Sequence, residues 1–182
     1  MAAVLVAAAN GYWTVMSDDD RWIVVDGRRW RASDPAIPPT LCAELVDELM
    51  DARRAVGAAK RAGSAGDVQV ARRRVDDAKV ALGERGTPWW HDASDDDVRR
   101  RAEAVIETLT RHRAPDRTIC PSDAARVVGG RSWRRRMDLV RDVAADMARR
   151  RLIDITQRGA VVDPTGWRGP VRLGRPNRTP DR

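Results

Sequence analysis

The sequence predicts a mainly α chain with small β-hairpins (α+β): an N-terminal β-hairpin and antiparallel helical hairpin, then a C-terminal winged helix-turn-helix. Three observations carry this. Apolar residues recur at helical spacing in long stretches separated by Gly- and Pro-bearing breaks. Two runs rich in β-branched and aromatic residues flank tight glycine turns. In the second half, three helical stretches followed by a strand pair make up the winged-helix order. At 182 residues, with 42% hydrophobic and 34% charged side chains, the chain suits two small modules with modest cores and not a disordered polymer.

The first element is a hairpin over Arg21–Ala32, because Trp22-Ile23-Val24-Val25 and Arg28-Arg29-Trp30-Arg31 flank Asp26-Gly27, a strong type I′ turn signal. That turn pairs Val25 with Arg28 and Ile23 with Trp30, and places Ile23, Val25 and Trp30 on the face that covers the helices to follow. Asp34-Pro35 and Pro38-Pro39 break the chain. Thr40 then caps a helix with apolar positions Leu41, Leu45, Leu49, Ala52, Val56 and Ala59. Gly63-Ser64-Ala65-Gly66 turns the chain into a second helix on Val68, Ala71, Val75, Ala78 and Leu82, which ends at Gly83. The intervening charges, such as Arg53, Arg72 and Glu48, are expected on solvated faces. Trp89-Trp90 is expected to pack the end of the helical hairpin, with a base-stacking platform as the alternative.

In the second half Ser94 caps a helix with Asp95, Asp96 and Asp97 in its first turn, where the helix dipole favours negative charge. Its buried stripe is Val98, Ala102, Val105, Ile106 and Leu109. Pro121 suits the first turn of a short helix whose apolar face is Ala124, Ala125, Val127 and Val128. After Gly129-Gly130, Ser132 is expected to cap a longer helix to Arg150, with Trp133, Met137, Val140, Ala144 and Met147 inward. Leu152–Thr156 and Ala160–Asp163 then form a second hairpin around Gln157-Arg158-Gly159, stopped by Pro164.

Two stretches resemble known families. The Asp-Gly-Arg-Arg-Trp-Arg hairpin, Asp34-Pro35-Ala36-Ile37-Pro38 and Gly83-Glu84-Arg85-Gly86 with Pro88-Trp89-Trp90 resemble a small uncharacterised actinobacterial family, sometimes labelled biopolymer transporter Tol. That likeness covers roughly residues 20–90 and implies no established activity. Thr118-Ile119-Cys120-Pro121-Ser122, Trp133-Arg134, Ile155-Thr156-Gln157-Arg158-Gly159 and Arg168-Gly169-Pro170-Val171-Arg172-Leu173 resemble a bacterial domain family of unknown function with the winged-helix fold. The second resemblance implies the fold and no mechanism.

The predicted organisation is therefore an N-terminal extension over residues 1–16, non-native or disordered, with Met16 as an alternative translation start. A β-hairpin plus helical hairpin follows over 17–90, a linker over 91–94, a winged helix over 95–173, and a basic Pro-rich disordered tail over 174–182. The apolar start Ala2–Ala9 lacks the cationic residues of a signal peptide, and no run approaches the ~20 apolar residues of a membrane span. A cytoplasmic protein without membrane contact is expected.

Charge is divided unevenly. Residues 1–90 hold 13 Lys+Arg and 13 Asp+Glu, whereas residues 91–182 hold 21 and 14, so the whole formal excess of +7 lies in the second half. A basic half on a winged-helix frame points to double-stranded DNA, with Arg131, Arg134, Arg135 and Arg141 on the groove-facing helix and Arg158 at the wing tip. Arg172, Arg175 and Arg178 would add phosphate contacts from the strand and tail. Asp138, Asp142 and Asp146 interleave with these arginines and fit a solvated helix equally well. The helix has no Asn or Gln to read adenine. Cys42 and Cys120 have no CxxC partner, His91 and His112 are read as surface side chains, and no P-loop, GxGxxG, GxSxG or HExxH motif is present. No cofactor, metal or catalytic residue is expected. The predicted function is a non-catalytic DNA-binding accessory or regulatory protein; the alternative is an adaptor that docks a protein on the helical hairpin and winged helix.

Overall fold

The structure, a computed structural model, describes residues 5–7, 13–16, 20–115 and 117–176. The hairpin forms as expected from β3 (Trp22–Val25) and β4 (Arg28–Arg31), with Val25 opposite Arg28 and Ile23 opposite Trp30. Asp26 and Gly27 take φ of +50° and +72°, the left-handed pair that a type I′ turn requires. Two strands precede it, β1 (Leu5–Ala7) and β2 (Trp13–Met16), and complete an antiparallel sheet in the order β1-β2-β3-β4. Part of the stretch expected to be an N-terminal extension is therefore strand. At three and four residues, these strands are too short to show alternation in sequence. The rest of that stretch, and Arg178 with its neighbours in the tail, lie outside the described residues.

Helix α1 (Pro39–Arg61) starts one residue earlier than Thr40 would allow, because Pro39 occupies its first turn with φ already helical and Pro38 stands at the cap without a side-chain bond. Its buried residues include the expected Leu41, Leu45, Leu49, Ala52 and Ala59. Ser64 Oγ accepts the Asp67 backbone N–H and caps α2 (Ala65–Ala81). Gly83 then turns the chain at φ +78°.

Ser94 caps helix α3 (Asp95–Arg113) as expected, and Asp97 completes a capping box by accepting the Ser94 backbone N–H. It buries the expected stripe and also Ala104, Glu107, Thr108 and Thr110, more than one face of a helix. The reason is tertiary: α1 and α2 pack on one side of α3, and α4 (Pro121–Gly129) and α5 (Met137–Arg149) on the other. A single cluster of buried side chains runs from Ile37, Leu45 and Leu82 through Val105, Ile106 and Leu109 to Val140, Met147, Ile155 and Leu173.

The long helix expected from Ser132 is corrected. Gly130–Arg136 is a 3-10 segment, Ser132 sits inside it at φ −96°, ψ 18° and caps nothing, and α5 begins only at Met137. Gly130 turns at φ +48°, and a Cβ built on it would lie 3.1 Å from the Ala36 Cβ, so this turn abuts the loop ahead of α1.

The final hairpin pairs β5 (Asp154–Gln157) with β6 (Ala160–Val161), turning at Arg158 and Gly159 with φ of +52° and +86°. A strand that the periodicity does not reveal, β7 (Arg172–Gly174), pairs with the other edge of β5 to give the order β6-β5-β7. Ile119, between α3 and α4, forms a bridge to Leu173 on the far side of β7.

Candidate nucleic-acid interface

The arginines singled out in the sequence fall into three kinds of environment. Arg131 and Arg135, in the 3-10 segment, and Arg158, at the β5–β6 turn, are exposed and have no ion pair or hydrogen bond among the described residues. Arg134 and Arg141 are stacked on tryptophans. The Arg134 guanidinium carbon lies 4.6 Å from the Trp133 ring centroid, and that of Arg141 lies 3.7 Å from Trp167. Arg172 is held by its neighbours, with Nε donating to Thr118 Oγ1 and Nη2 to the Thr118 carbonyl, both at 2.9 Å. Its bonds tie β7 to the segment before α4. Arg175 likewise reaches back, with Nη1 2.9 Å from Glu107 Oε2.

The basic surface contains residues that sequence reasoning does not single out. Arg126, on α4, places its guanidinium 5.0 Å from the Trp133 ring, so Trp133 serves two arginines. Trp167 and the exposed Arg168 come from the β6–β7 connection, where the sequence points to Arg168 only within a family resemblance and to Trp167 not at all. Adjacency in sequence signals only Arg134 on Trp133; Arg126 on Trp133 and Arg141 on Trp167 come together through the fold.

The acidic row on α5 is only partly free. Asp146 sits well below the ordinary carboxylate range because Arg150, and then Arg149, donate hydrogen bonds to it. Arg150 is in turn held more strongly cationic by Glu103 first and Asp146 second. Asp142 lies 3.6 Å from Arg99 Nη2, while Asp138 is exposed and has no partner among the described residues.

Beside this surface, an open cleft of about 880 Å³ lies between the two halves, walled by Pro35–Pro39, Pro88, Trp89, Val98 and the 3-10 segment with Arg131. At its rear Arg101 pairs with Asp34 at 2.9 Å and donates Nε to the Ala81 carbonyl at 3.2 Å. Trp89 Nε1 donates to the Ala32 carbonyl at 3.0 Å, and the Trp90 ring stands edge-on to Trp89 and Trp22 at 4.9 and 5.7 Å. The tryptophan pair thus packs the hairpin against the end of α2, the first of the two roles considered for it. Trp30 is less enclosed: Lys79 lies 5.0 Å from its ring centroid, yet the side chain stays 41% exposed. Burial, then the Glu84 and Asp34 carboxylates, pushes the Cys42 thiol above its usual range. Among the described residues no group of three or more His, Cys, Asp or Glu side chains is placed to hold a metal ion. No described helix is long and apolar enough to cross a membrane.

Fold and surface together define a small α+β protein whose second half presents stacked and unpaired arginines around a 3-10 turn and a β-turn. Residues 99–176 match a family described as a protein of unknown function, DUF3253. The matched segment runs from the first turns of α3 to just past β7, and so takes in the arginine surface but not the helical hairpin. A search of curated proteins found no match.

Proposed function

We propose that residues 95–173 form a winged helix-turn-helix and bind double-stranded DNA, making this a non-catalytic DNA-binding accessory or regulatory protein of the cytoplasm. Several features support the fold. Helix α3, the Ile119 bridge, α4, the 3-10 turn, α5, β5, a long connection and β7 follow in the order helix, strand, helix, turn, helix, strand, wing, strand. The Ile119 segment adjoins β7, which adjoins β5, as the first, third and second strands of that fold do.

The observation that carries the function is the set of unpartnered guanidiniums. Arg131 and Arg135 stand on the turn leading into α5, and Arg158 on the hairpin tip. These are the two places where such a domain meets phosphates, and a cation without an internal partner gives up no existing bond when it meets one. The test is fluorescence anisotropy of the full chain on random-sequence duplex, across 50–200 mM salt. Micromolar binding at low salt that falls steeply with salt is expected. Arg131→Ala/Arg135→Ala/Arg158→Ala should flatten the log–log salt slope by about 2.7, at ~0.9 for each phosphate no longer neutralised. Binding that is absent at low salt, or indifferent to the triple substitution, would overturn the proposal.

A second reading, an adaptor that docks a protein partner on the helical hairpin, is favoured by exposed Val70 on α2, 49% accessible, and Trp30. Partner binding on that surface would resist salt and ignore the three arginines.

A further inference from the structure

We infer that Trp167 is a positioning residue, holding Arg141 so that its free edge reads a guanine in the major groove. This rests on the DNA-binding reading above and adds to it a base and a residue pair.

Among the cation–π contacts of the described residues, Arg141 on Trp167 is the closest, at 3.7 Å from guanidinium carbon to ring centroid, whereas the others lie between 4.6 and 5.6 Å. At one van der Waals thickness the two planes must lie face to face. A guanidinium stacked in this way keeps all its N–H donors pointing outward in its own plane, so the contact fixes the plane without consuming the donors. One donor, Nη1, makes a long 3.5 Å contact to the Gly169 carbonyl. Nε and Nη2, which form one edge of the fork, have no acceptor among the described residues.

The tryptophan is itself held. Gln157 Nε2 donates to the Arg168 carbonyl at 2.7 Å and to the Pro170 carbonyl at 3.1 Å, on either side of Gly169. Thr165 N–H, at 2.7 Å, and Thr165 Oγ1 donate to Asp163 Oδ1 at the start of the same connection. Trp167 is half-buried and packs against the core cluster, of which Val171 is a buried member.

The choice of base over phosphate follows from the neighbours. Asp138 lies one turn before Arg141 on α5 and has no cationic partner among the described residues, so a phosphate approaching Arg141 would meet its carboxylate. A guanine edge carries no net charge and offers two acceptors, O6 and N7, spaced for a two-donor arginine edge. Arg131, Arg135 and Arg158, with no acid partner among the described residues, are the phosphate contacts.

Binding-site selection from a random duplex pool tests this, using the full chain and its Trp167→Ala, Trp167→Phe, Arg141→Ala and Arg141→Lys variants, each first checked for an unchanged thermal midpoint. The wild type should enrich one fixed guanine. Arg141→Ala and Arg141→Lys should each lower that preference by roughly tenfold, the scale set by one bidentate contact. Trp167→Ala should do the same, and Trp167→Phe, which keeps a ring face, should preserve the guanine. Salt-sensitive binding of random duplex without guanine enrichment would overturn the inference alone, as would a guanine preference that survives Trp167→Ala or Arg141→Ala. Loss of all duplex binding by the wild type would overturn the DNA reading and this inference with it.

Discussion

Arg113, the last residue of α3, fastens three helices, and replacing it with Met asks how much that is worth. Its Nε and Nη2 donate to the two carboxylate oxygens of Glu44 on α1 at 2.7 and 3.0 Å, and Nη1 donates to Asp123 on α4 at 3.0 Å. The fork holds the guanidinium more firmly protonated than usual, through the Glu44 hydrogen bonds first, even though burial works against it. Methionine keeps the apolar stem, adds no branching and leaves both carboxylates without their cation. Breaking a fully buried pair costs about 3–5 kcal/mol and an exposed one about 0–1. Side-chain exposures of 14% for Arg113, 24% for Glu44 and 22% for Asp123 place this network between the two, nearer the first. A loss of about 2–3 kcal/mol is expected, equivalent to a fall of roughly 5–10 °C in Tm for a chain of this size. Urea unfolding followed by tryptophan fluorescence and circular dichroism measures it. A loss below about 1 kcal/mol, or a coupling near zero in a double-mutant cycle with Glu44→Gln, would refute the idea that this fork ties the halves together.

Two further outcomes follow from the geometry. Gly83→Ala puts a side chain at φ +78° and a Cβ 3.2 Å from Trp89 Cδ1 and 3.3 Å from both Arg101 Nη2 and Asp34 Cβ, so unfolding free energy should fall by about 2 kcal/mol or more, read by the same urea titration. Cys42 keeps its proton in the folded protein above the ordinary thiol value of 9.0, so there the folded state binds more protons than the unfolded one and stability declines as pH rises. In a series of Tm values between about pH 8 and 10.5, Cys42→Ser should show a shallower decline than the parent protein; parallel curves would contradict the assignment.

What was legible in the sequence was local. The stripe Leu41, Leu45 and Leu49, the Ser94 cap and the Asp26-Gly27 turn each depend on residues within a turn or two of one another, and each forms where expected. The second buried side of α3 was not legible, because Ala104 and Thr108 are buried by packing against distant chain and not by their own helix. Strand β7 escaped for a similar reason: three residues exist as a strand only because β5 and Ile119 lie on its two edges. The break before α5 lies where Gly130 turns at positive φ close against Ala36, far earlier in the chain, a contact that local spacing does not show. Among the candidate site residues, the sequence put Arg131, Arg134 and Arg135 on the long helix where the structure has a 3-10 segment, and it could not separate Arg131, Arg135 and Arg158, without a partner among the described residues, from Arg172, whose donors are already committed to Thr118.

The position of α3 also constrains where this chain can be cut. Arg101 and Arg111 reach across to Asp34 and Asp77, so a fragment starting near residue 91 would keep both cations and lose both acids, with the small side chains between them bared to water. The segment shared with the matched family begins inside this helix, at residue 99. Any chain carrying these same α3 residues without the α1–α2 hairpin would need a substitute cover for that side, whether another domain, a second subunit or a more polar set of replacements. For this protein, the helical hairpin is the lid that lets its C-terminal half keep a core.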